Sequence, residues 1–67
     1  MTRLTTHRVH AAAVRPIGSV GPFEPRSFSF MLDASASLQA RRGEAIRILR
    51  QLGYEFRHAI EIEEPAA

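Results

Sequence analysis

Four arginines in the second half of the chain, Arg41, Arg42, Arg47 and Arg50, are the residues best suited by type and spacing to chemistry on an anion. They follow Ser35 and Ser37, either of which can cap the start of a helix. The first turn of a helix presents unpaired backbone N–H groups and the positive end of the helix dipole. A guanidinium also matches phosphate or carboxylate in a two-point fit. Ser35, Ser37, Arg41, Arg42, Arg47 and Arg50 are therefore the expected anion- or nucleic-acid-binding set. The competing reading is a serine cap followed by solvated arginines whose stems cover the edge of the core. At about 100° per residue the arginines spread around the helix, and the aromatic residues are expected to point inward. The stacking half of a nucleic-acid platform is then missing.

A second set suits contact with a protein. Ile17, Val20 and Phe23 are apolar residues in PIGSVGPFEP, a segment whose prolines and glycines prevent regular structure. Such a loop either folds back over the core or is offered to a partner. Met31 and Arg57 belong to the sheet face that a single helix leaves uncovered. Ile17, Val20, Phe23, Met31 and Arg57 form the expected partner-binding set.

Catalysis and metal binding find little support. His7 and His10 are placed on opposite faces of a strand, and His58 on the inward face of another. No cysteine and no glycine-rich phosphate loop occurs, and spacing brings no serine, histidine and carboxylate together. No catalytic residue, metal or cofactor is expected.

All nine basic residues are arginine against seven acidic ones, a formal net charge of +2, well below that of a dedicated nucleic-acid binder. Sixty-seven residues suffice for one small domain, which lacks disulfides to support it and would gain from a second subunit or a partner. No signal-peptide pattern and no apolar run of membrane-spanning length is present, so a soluble, cytoplasmic chain without membrane contact is expected.

The elements that must position these groups follow from periodicity. Residues 1–6 are expected to be a flexible N-terminus, 7–64 a single domain containing a loop over 16–25, and 65–67 a C-terminal tail. The first strand spans His7 to Arg15, with Val9, Ala11 and Ala13 on one face and His10, Ala12 and Val14 on the other. Arg26 to Asp33 alternates cleanly, with Phe28, Phe30 and Leu32 inward. A helix runs to about Leu52 on a stripe of Leu38, Ala45, Leu49 and Leu52, and Gly53 stops it. Tyr54 to Glu63 is the last strand. The predicted fold is α+β in β-β-α-β order, one helix on a three-stranded mixed sheet with the first strand in the middle.

LGYEF, with the helix before it, resembles the helix-to-strand junction of HicA-like toxins over Ile48 to His58. That family's glycine-serine-histidine segment has no counterpart here and its strand order differs, so its activity is not carried over. The β-β-α-β order with a serine-capped helix and an LGY exit is similar to small phage-encoded inhibitors, some of which bind bacterial RNA polymerase or block CRISPR effector complexes. This likeness is architectural and assigns no residue. The expected function is a small non-enzymatic binding protein that regulates or inhibits a larger bacterial protein or nucleoprotein complex, of the phage or mobile-element kind. A nucleic-acid-binding module using the helix arginines, and a self-assembling structural protein such as a homodimer, are the alternatives.

Overall fold

The computed structural model describes residues 2–63. Three strands and one helix follow in the predicted order: β1 (Leu4–Pro16), β2 (Glu24–Asp33), α1 (Leu38–Gln51) and β3 (Tyr54–Glu63). The sheet order is β2-β1-β3. Because β1 lies between the other two and runs opposite to both, each hydrogen-bonded pair is antiparallel. The sheet is therefore antiparallel rather than mixed, since β2 and β3 share a direction but never pair.

β1 begins earlier than its composition suggests. Leu4, Thr5 and Thr6 pair with Asp33, Leu32 and Met31, partners that come from a distant part of the sequence. Met1, Glu64 and the expected tail over 65–67 lie outside the described residues.

The simple alternation expected for β1 also fails, for a physical reason. Val9 and Val14 differ by an odd number of positions, which simple alternation would put on opposite faces, yet both are buried against the helix. A register shift between Ala11 and Val14 on the β2 side places one extra residue in β1 and flips the phase of the strand. The inward residues are then His7, Val9, Ala11 and Val14, with Ala12 exposed and Ala13 half-buried. On the other side, β3 spends three residues where β1 spends two, between Ile60 and Arg57. His58 absorbs this irregularity with φ 67° and is exposed, not turned inward as alternation predicts.

The helix begins where Ser37 accepts a hydrogen bond at Oγ from the Ala40 N–H, 3.1 Å away. It ends at Gly53, whose φ of 90° is favourable only for glycine and whose N–H reaches the Arg50 carbonyl at 3.0 Å. Ala45 and Leu49 are buried, with Ile46 and Ile48 packed beside them. Leu38 and Leu52, at the two ends of the predicted stripe, are exposed. Facing the helix are Val9, Ala11, Val14, Phe30, Leu32 and Ile60, and small residues on both surfaces, Ala11 and Ala45, allow close approach. Arg26 closes one end of this layer. Its guanidinium donates to the Tyr54 hydroxyl at 2.9 Å and lies over the Phe28 and Tyr54 rings.

One buried polar side chain fixes the relation of helix to sheet. His7 is fully buried, and its Nδ1 lies 2.9 Å from the Thr5 carbonyl oxygen, which only accepts. The ring proton therefore sits on Nδ1, leaving Nε2 as acceptor for the Arg41 guanidinium at 3.3 Å.

Candidate functional site

Among the described residues no element covers the sheet face opposite the helix, and the loop between β1 and β2 bends over one end of it. Phe23 is the anchor of that loop. The Arg15 and Arg57 guanidiniums lie over its ring, 4.1 and 4.5 Å from the centroid. Arg15 is itself held by Glu55, Nε to Oε1 at 2.5 Å, and donates from Nη1 to the Gly21 carbonyl at 2.8 Å. The other side of the loop is tied by the Ile17 N–H on the Gly53 carbonyl at 2.8 Å. Gly18, at φ 85°, supplies the left-handed residue of the turn that Ser19 N–H closes on the Pro16 carbonyl.

The consequence for the predicted contact residues is a division. Phe23 is half-buried as part of the fold, whereas Val20 is 100% exposed and Ile17 57% exposed. The loop is thus both a partial cover and a presented apolar tip. Arg57 is exposed and lies over Phe23. Met31 is exposed on the same sheet face but far along β2, where its sulfur accepts from the Thr6 hydroxyl. Of these residues Phe23 and Arg57 are in contact, Ile17 lines a separate concavity with Arg50, Tyr54 and Phe56, Val20 stands fully in solvent, and Met31 lies apart.

The arginine and serine set is dispersed. Ser37 spends its hydroxyl on the cap. Ser35 donates its hydroxyl to Asp33 Oδ1 at 2.6 Å, and the same oxygen accepts the Ser35 and Arg3 N–H groups, both at 2.9 Å. The Ser35 hydroxyl bond, followed by these backbone bonds, lowers the Asp33 carboxyl to about 2. Arg41 turns inward to His7 and Arg42 is half-buried. Arg47 pairs with Glu44, and its hydrogen bond holds the Glu44 carboxyl below its ordinary value. Arg50 lies over the Phe56 ring at 6.0 Å. An N-terminal helix site with converging guanidiniums is not formed.

Strand pairing assembles one group that spacing did not reveal. His10 stands opposite Ser27 across β1 and β2, with Nδ1 2.8 Å from the serine Oγ. On the other side its Nε2 is 3.6 Å from Glu63 Oε2, beyond ordinary hydrogen-bond length. This corrects the expectation that no serine, histidine and carboxylate meet. The register of β1 against both neighbours was the missing signal. The cluster borders an open concavity of ≈ 280 Å³ whose lining includes Arg26, Ala59 and Glu61. Ser27 and Glu63 are both exposed. Such an arrangement lacks the enclosed, low-dielectric surroundings in which developing charge is stabilised. His7 and His10 fall on opposite faces, as their spacing requires of a strand.

Among the described residues no helix is long and apolar enough to cross a membrane. Comparison with protein-family models, with curated proteins and with solved structures returned no match.

Proposed function

We propose that this chain is a small non-enzymatic binding protein that regulates or inhibits a larger bacterial protein or nucleoprotein complex, and that it docks through the loop tip and the adjoining sheet face. The observation that carries this reading is the contrast within one loop. Val20 and Ile17 stand in solvent while the segment beneath them is fixed by Phe23, by the Arg15 bond to Gly21 and by the Ile17 bond to Gly53. An apolar tip on a fixed base loses little freedom when it binds. Burying a valine or isoleucine side chain is worth about 1.5–3 kcal/mol. Arg57, over Phe23 at the base of the loop, supplies a cation for an acidic rim on the partner.

The helix-arginine reading is weaker on this geometry, because Arg41 and Arg47 already have side-chain partners within the chain. The test is affinity capture from bacterial lysate, with and without nuclease. The proposal expects a protein retained after nuclease treatment by the natural chain and lost with Val20→Glu, whose site is wholly exposed and whose fold is therefore kept. Retention that depends on nucleic acid would instead support the arginine reading.

A further inference from the structure

The two edges of the sheet, β2 and β3, are built differently. β3 carries charges at Glu55, Arg57, Glu61 and Glu63, and its run is broken by the positive φ of His58. Charge and irregularity are the devices by which proteins keep a strand edge from pairing with another chain. β2 has neither between Ser27 and Leu32. That stretch reads Ser-Phe-Ser-Phe-Met-Leu, with no charge and no proline, and it pairs with β1 without a break from Asp33 to Arg26. Alternate N–H and C=O groups of such an edge point away from its one neighbour. The helix packs less heavily on this side than on β3, although Phe30 and Leu32 are buried beneath it. A concavity of ≈ 260 Å³ lies there, lined by Met31 and Leu32 of β2 and by Ala40 and Glu44 of the helix.

We propose that β2 pairs antiparallel with β2 of a second copy of this chain, about a two-fold axis at Ser29, to give a continuous six-stranded sheet. The sequence of the strand suits itself as a partner. Residues opposite one another across such a pair share a face. An axis at Ser29 sets Phe28 against Phe30 of the other copy on the helix side, and Ser27 against Met31 on the outer side. Arg26 then meets Leu32, and no like charges are opposed. Phe28, half-buried in one copy and already stacked on Phe30 at 5.5 Å, gains aromatic cover from the second. Both helices lie on the same side of the joined sheet, each displaced away from the seam.

The test uses sedimentation and native mass spectrometry on the natural chain, on Ser29→Lys and Ser29→Glu, and on their equimolar mixture. Ser29 is exposed and stands opposite Arg8. The glutamate variant therefore gains an intrachain partner and keeps its fold even if the lysine variant is weakened. A dimer of the natural chain is expected, with its dissociation constant raised about fivefold in Ser29→Lys, where like charges meet on the axis, and less in Ser29→Glu, whose charge Arg8 offsets. The mixture should restore dimerisation, because lysine then faces glutamate. A natural chain that stays monomeric at millimolar concentration overturns the proposal. So does undiminished dimerisation of both charged variants, or a mixture that fails to recover.

Discussion

Phe23 links the loop to the sheet through two guanidiniums, and its contribution is separable by substitution. Each cation–π contact at a partly exposed site is worth about 0.5–1 kcal/mol. Phe23→Ala should therefore destabilise the domain by about 1–2 kcal/mol in urea unfolding, with Phe23→Leu losing less because it keeps apolar area. An unchanged midpoint in the alanine variant would show that the ring adds nothing to the fold. Asp33 makes a pH prediction. Its carboxyl is lowered to about 2 in the folded chain, against about 3.9 when unfolded. Between those values the unfolded state binds more protons, so the contribution of Asp33 is complete above about pH 4 and is lost as pH falls toward 2. In Asp33→Asn that part of the acid limb should flatten in a pH series of thermal unfolding. At this scale the sequence was readable where a residue acts locally, as Ser37 does at its cap. It was unreadable where a partner comes from another strand, as with Ser27 on His10.

At the scale of elements, the strands and helix were legible because their apolar residues repeat with the period of the element. Phe28, Phe30 and Leu32 mark β2, and Ala45 and Leu49 mark the buried stripe of α1. The phase of β1 was not legible. Its alanine run has little preference for either face, so the faces are decided by Val9 and Val14, and an extra residue is needed to turn both inward. His58 belongs to a second irregularity, an extra residue of β3 against β1. A non-glycine residue in the left-handed region costs about 1–2 kcal/mol, while glycine adds about 0.5–1 kcal/mol of chain entropy to folding. His58→Gly should therefore raise stability by about 0.5 kcal/mol, read as a higher unfolding temperature. A drop of 1 kcal/mol or more would show that the imidazole has a structural role.

At the scale of the whole molecule, one helix covers one face of the sheet and leaves the other to Ser27, Ser29, Arg57, Ala59 and Glu61, all exposed. That uncovered face follows from counting elements in the sequence. What the loop does with it was not legible, since Ile17, Val20 and Phe23 are alike in hydropathy and only the positions of Arg15 and Arg57 decide which is pinned. The helix arginines diverge for a similar reason. Their partners, His7 and Glu44 among them, are set by packing across elements as well as by local spacing. The most direct measurement is capture from nuclease-treated bacterial lysate on the natural chain, on Val20→Glu, and on Gln39→Glu as a control on the exposed start of the helix. One protein should be held in stoichiometric amount by the natural chain and by the Gln39 variant, and lost with Val20→Glu. Equal retention by all three, or none by the natural chain, would contradict docking through the loop tip.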